Sequence, residues 1–191
     1  PSWLGIKDLP WAEQLQYLND PEFRGRLLAE DHDLPDTDLR MLLELMIAAF
    51  DMQYPMLEGF DYEPKPEDSI AARALREGMS SEEYAFDTML RGDGRGFIYF
   101  PLLNYADGNL NFLESVLASD DCVNSLSDGG AHAGTICDAA ATTFLLQHWV
   151  RDRQRGRISI EHAIRRQCAD TARLYGLEDR GLVANGYLAD L

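Results

Sequence analysis

The chain has 191 residues, 46% of them hydrophobic, which is enough for a folded core and too apolar for a disordered tail. Thirty-three acidic against 17 basic side chains leave a formal charge of −16, a surface that repels phosphate backbones and excludes nucleic acid as a partner. No apolar run approaches the roughly 20 residues that cross a bilayer, so no membrane association is expected.

Pro1-Ser2-Trp3-Leu4 has neither the basic nor the apolar region of a signal peptide and no initiator Met. The chain is therefore expected to begin inside a longer gene product. Cys122, Cys137 and Cys168 are odd in number and widely spaced, with no Cys-x-x-Cys. They read as reduced thiols of a cytoplasmic protein.

The first third reads as helices. Asp20-Pro21-Glu22 offers an N-cap, a proline at the first helical position and an acid in the first turn. From Asp36 to Phe50, the residues Leu39, Leu42, Leu43, Met46 and Ile47 fall on one helical face. Asp51 to Asp68, rich in Pro, Tyr and acid, reads as an irregular loop. A helix over about Ser69 to Glu77 follows, then another opened by Ser80 and Glu83 at capping-box spacing and ending near Leu90. Gly92, Gly94 and Gly96 precede a strand candidate rather than following one, so they read as a turn and not as a dinucleotide loop.

The pattern then changes. Phe97-Ile98-Tyr99-Phe100 is a short strand candidate closed by Pro101, followed by a loop over Asn104 to Gly108 and a helix over Asn111 to Ala118. Cys122 to Leu126 is a second strand candidate, closed by Ser127-Asp128-Gly129-Gly130. A long helix begins near Asp138, with Phe144, Leu145, Leu146 and Trp149 as its apolar positions. Its end carries Arg151, Arg153, Arg155 and Arg157, which suits the negative end of the helix dipole. A last helix starts at Ser159 and is expected to bury Ile160, Ile164, Cys168 and Tyr175, with Gly176 as its C-cap. Alternating strands and helices point to parallel βα units.

In parallel α/β folds, functional groups collect on loops after the C-terminal ends of strands. Two such loops can be read. One holds Asn104, Tyr105 and Asp107; the other holds Ser127, Asp128 and His132. The glycines after Asp128 permit a sharp turn and close approach of a ligand. A carboxylate there can accept a proton from a metal-bound water, whose pKa a zinc ion lowers to about 7. Equally, Asp128 can cap the turn that follows it. His148 and His162, in helices, and His32, in an acidic loop, read as structural or surface residues.

Ser125-Leu126-Ser127-Asp128-Gly129-Gly130-Ala131-His132-Ala133-Gly134-Thr135 resembles the segment after the last barrel strand of the N-acyl-D-amino-acid deacylases, or D-aminoacylases, of the amidohydrolase superfamily. The resemblance continues through Leu146, His148-Trp149, Arg151-Asp152-Arg153, Arg166-Gln167, Thr171-Ala172-Arg173-Leu174, Gly176-Leu177, Asp179-Arg180-Gly181 and Gly186 to Leu191. Upstream, Phe100-Pro101-Leu102-Leu103-Asn104-Tyr105 also fits. The specific part spans Gly96 to Leu191, about half the chain.

The resemblance implies an α/β chain: the helix-rich C-terminal part of a (β/α)8 amidohydrolase barrel, whose full form needs about 250 residues. Residues 1–178 would belong to the barrel, with an irregular helical insertion over about 1–95 and the last βα units over about 96–178. Residues 179–191 would begin a small β domain. The implied reaction is zinc-dependent hydrolysis of an N-acyl-D-amino acid to a carboxylate and a D-amino acid. Asp128 would be the catalytic residue, touching the metal through its bound water, and Tyr105 and His132 would face the substrate. Tyr105 also reads as a core or rim tyrosine, and His132 as the hydrogen-bonding residue of its loop.

The family's His-x-His pair has no counterpart among His32, His132, His148 and His162. Zinc is thus expected in the full-length enzyme and not on this chain alone, which is expected to be inactive by itself. A part-barrel exposes strand edges and apolar surface, so a homo-oligomer is expected. A cyclic-amide hydrolase of the same superfamily and a non-catalytic self-associating module are the alternative readings.

Overall fold

A computed structural model describes residues 2–31, 34–38, 40–124 and 138–188. The fold is helix-rich with a small two-stranded sheet. It divides into two compact units, Pro1–Gly108 and Asn109–Leu191.

In the first unit, α1 (Trp11–Asn19) follows Pro10 and α2 (Pro21–Leu28) follows at once. Asp20 turns the chain between them. Its carboxylate accepts the Phe23 N–H at 2.8 Å, as its place before a proline predicts. Ile6, Leu18 and Phe23 form a buried cluster that Phe86 and Leu90 of α5 (Ser81–Gly94) help to cover. A second cluster joins Ile70 and Ala74 of α4 (Ile70–Glu77) to Tyr84 and Ala85 of α5, flanked by Phe50, Met79 and Ile98. Ile70 is 0% exposed, a burial that contributes about 2 kcal/mol.

Local signals set the ends of these helices. Ser69 caps α4 through the Ala72 N–H, and Gly78 closes it at a left-handed φ of 72°. The capping box forms in full: Glu83 N–H donates to Ser80 Oγ at 3.1 Å and Ser80 N–H to Glu83 Oε2 at 3.3 Å. Helical geometry stops after Leu90, and Gly92 and Asp93 both turn left-handed. A Cβ on Gly94 would lie 2.1 Å from the Trp11 ring, so the turn lets the backbone slide under that indole, whose N–H reaches Asp93 O.

Thr88, 1% exposed on α5, leaves its hydroxyl without a partner among the described residues. Thr88→Val keeps the shape and removes an unsatisfied group. It is expected to leave stability unchanged or raise it by about 1 kcal/mol in urea melts; a loss of similar size would show a hydrogen bond there.

The sheet pairs β1 (Tyr54–Pro55) with β2 (Ile98–Tyr99) in antiparallel register, Tyr54 opposite Tyr99. Two expectations are corrected here. The stretch 51–68 is not wholly irregular: it supplies β1 and a 3-10 turn at Pro66–Asp68. The first strand candidate is real but short, and its partner runs antiparallel rather than parallel. Prolines limit its length, since Pro55 and Pro101 have no N–H for a ladder. The helix α3 (Arg40–Ala48) buries no residue fully; Leu42, Leu43 and Ile47 are half-buried and Met46 is exposed, while Leu39 lies outside the described residues.

In the second unit, α6 (Asn111–Ala118) has the bounds expected of it. A 3-10 turn at Asp138–Ala140 leads into α7 (Ala141–Phe144), which widens into π-helical turns over Leu145–Asp152. Leu145 and Trp149 are buried, as their spacing implies. A second run joins α8 (Ile160–Arg165), π-helical turns at Arg166–Asp170 and α9 (Thr171–Leu174). Gly176 caps it at φ 69°, with Leu177 N–H returning to Ala172 O.

The buried face of this run corrects the sequence reading. Ile160, Ile164, Cys168 and Tyr175 are exposed, whereas Ala163, Arg166, Ala169 and Ala172 are buried. Close approach explains the inversion. The chain returns over this face at Gly181, where a Cβ would sit 2.8 to 3.0 Å from Cys168 O, Ala172 Cβ and Ala169 Cα, a spacing only small residues allow. Beyond Gly181 the described residues form turns, with Leu188 N–H on Asp179 O at 2.7 Å.

Candidate functional site

Asp128 and His132, the expected catalytic and substrate-facing residues, lie outside the described residues, as do Ser125 and Leu126 of the second strand candidate. Residues 122–124 of that candidate carry no strand pairing. What the structure describes is the frame on either side of this segment.

On the N-terminal side, α6 ends at Ser119, where helical carbonyls run out of partners. The guanidinium of Arg166, only 4% exposed, donates to Ser119 O and to Asp120 O. It also donates to Asp170 Oδ2, one helical turn on, at 2.9 Å. Arg165 joins Asp120 at 2.5 Å to Asp170 at 3.2 Å, and Arg173 reaches Asp170 at 3.2 Å. One carboxylate thus gathers three guanidiniums. The Arg166 hydrogen bond above all, with the neighbouring positive charges, holds the Asp170 carboxyl below its usual range.

On the C-terminal side, Arg153 is equally buried. Its guanidinium lies 4.5 Å from the centre of the Trp149 ring. It donates to Asn111 Oδ1 at 2.7 Å, to Glu114 Oε2 at 3.3 Å and to Gly156 O at 3.2 Å. Arg153 is therefore not a solvated charge at a helix end; it fastens α6 to the π-helical turns. Gly156, at φ 60°, makes room for this, because a Cβ there would meet Glu114 and Arg153.

The two described histidines serve packing. His148 is buried, stacked on Phe144 at 5.0 Å and edge-on to Trp149. His162 donates its backbone N–H to the capping Ser159 Oγ at 3.1 Å, and its Nε2 pairs with Leu117 O at 2.8 Å. Among the described residues no group of three His, Cys, Asp or Glu side chains could hold a metal ion. A zinc site needs three or four protein ligands, and Asp128 and His132 lie outside the residues of which this is said.

Tyr105 belongs to the first unit. It is 6% exposed, and its hydroxyl donates to Pro64 O at 3.1 Å. Burial pushes its phenol well above the ordinary range. Nearby, Phe60, Tyr62 and Tyr99 meet edge to face at 5.3 to 5.7 Å, and burial pushes Tyr99 up to about 12. The phenols of Tyr105 and Tyr99 stay protonated at neutral pH and act as donors, not bases.

No helix among the described residues is long and apolar enough to cross a membrane. No family model, curated protein or solved structure matches the chain.

Proposed function

We propose that the chain carries the last-strand region of a (β/α)8 amidohydrolase of the N-acyl-D-amino-acid deacylase type, with Asp128 as its catalytic carboxylate. The observation that carries this reading is the coincidence between the resemblance and the frame. Beyond the Ser127-Asp128-Gly129-Gly130 motif, the resembling residues include Trp149, Arg153, Arg166, Ala172 and Gly181. All of these are buried or closely packed points of the second unit. Such positions tolerate few substitutions, so a matching pattern there reflects a shared scaffold more readily than a match at exposed positions does.

In this reading water adds to the amide carbonyl carbon as Asp128 takes its proton. Asp128 then gives that proton to the amine nitrogen as the C–N bond breaks. The products are a carboxylate and a D-amino acid. His132 and Tyr105 are proposed to face the substrate; for Tyr105 this requires its hydroxyl to be released from Pro64 O. Zinc ligands would have to come from elsewhere, and the 191-residue chain alone is expected to hold no stoichiometric zinc and to release no amino acid.

The test compares N-acyl-D-amino acids with cyclic ureides as substrates of the full-length gene product. Release of free amino acid from the first class with no ring opening of the second is the expected result; the reverse preference would move the protein to the cyclic-amide branch. A specific observation also keeps a self-associating module in view. Ile160, Ile164, Leu174 and Tyr175 form exposed apolar positions on the last helical run. Sedimentation of the chain as a homo-oligomer would accord with that module, and a monomer at high concentration would count against it.

A further inference from the structure

The α8–α9 run and residues 120–123 line a cleft of about 490 Å³. That volume falls within the range of small-molecule sites. Arg166 and Asp170 are its covered pair. Arg165 and Arg173 are more open, with side chains 48% and 77% exposed. Each commits only part of its five donors, Arg165 to Asp120 and Asp170, Arg173 to Asp170. Asp120 and the exposed Asp121 supply carboxylates, and Val123 and Leu174 supply apolar surface. Spare guanidinium donors, carboxylates and two apolar side chains thus meet in one concavity.

We propose that this cleft binds a free α-amino acid with an apolar side chain. Its carboxylate takes N–H donors of Arg165 and Arg173, its ammonium lies against Asp120 and Asp121, and its side chain covers Val123 and Leu174. A plain anion meets the same arginines but leaves the two aspartates repelling it, so the zwitterion is preferred. The proposal stands on the cleft alone and does not require the hydrolase reading.

The test titrates the isotope-labelled chain with leucine of either hand, acetate and inorganic phosphate, following the backbone amides of Val123 and Leu174 by NMR. Leucine is expected to give saturable shifts that acetate and phosphate do not give at the same concentration. R173A, at an exposed position, is expected to weaken leucine binding about tenfold, and D121N to weaken it in the same direction. Three results each overturn the proposal: no saturable shift with leucine, equal saturation by acetate or phosphate, or unchanged affinity in both variants.

Discussion

Asp128→Asn in the full-length gene product is expected to lower kcat by about a thousandfold, the middle of the range for a positioned acid–base group. The exchange keeps the size of the side chain and removes its ability to take a proton from water. Binding does not depend on that proton, so KM is expected to hold within about threefold while kcat falls. Bound metal is expected to be unchanged, because the carboxylate is assigned to the water and not to the ion. In the unsubstituted enzyme the acid limb of kcat/KM reports a carboxylate that must be ionised to act as base; in the variant that limb should vanish from the residual rate. Turnover within about tenfold of the unsubstituted enzyme would remove Asp128 from the mechanism.

The second large effect concerns stability. Arg166→Ala strips the donors from Ser119 O and Asp120 O and leaves Asp170 to the partly exposed Arg165 and Arg173. Breaking a buried pair by removing one partner costs about 3–5 kcal/mol, and the two remaining arginines place this case at the lower end, about 3 kcal/mol. For a chain of this size that is a fall of roughly 10 °C in Tm. Arg173→Ala removes an exposed partner of the same carboxylate and is expected to cost under about 0.5 kcal/mol.

The pH dependence follows from the direction of the Asp170 shift. Its folded-state carboxyl lies below the ordinary value of 3.8, so the stabilisation is complete well above pH 3.8 and is lost as pH falls from there through the depressed folded value. Arg166→Ala brings the folded value back toward the ordinary one, and the acid-side fall in stability should become shallower. Parallel melts at pH 7 and pH 3 measure both effects. Equal stability of the Arg166 and Arg173 variants at pH 7 would contradict the central place given to Arg166.

Short-range chemistry was the most legible part of this sequence. Asp20, Ser80 with Glu83, and Gly176 each stand where a cap was expected, and Ser69 and Ser159, expected only as helix starts, also cap, because a cap depends on a few neighbouring residues. Long-range pairing was less so. The partner of Ile98–Tyr99 is Tyr54–Pro55, some forty residues earlier, inside a stretch whose prolines masked any strand pattern. The last helical run failed for a different reason. Periodicity marks Ile160, Ile164 and Cys168 as a face, but the returning chain lies on the face of Ala163, Ala169 and Ala172, where small size counts for more than hydrophobicity.

Of the frame around the candidate loop, the four-residue spacing of Arg166 and Asp170 was readable as a helical ion pair. That Arg166 is buried and also holds the end of α6, 46 and 47 residues away, was not. Arg153 looked like one of four arginines at a helix end; only its contacts with Trp149, Asn111 and Glu114 set it apart.

The most direct measurement is chiral analysis of the products when the full-length gene product is given racemic N-acetyl amino acids. The free D-amino acid should accumulate with an equal amount of acetate while the N-acetyl-L form remains. Release of the L form instead, or no release of either, would contradict the assignment.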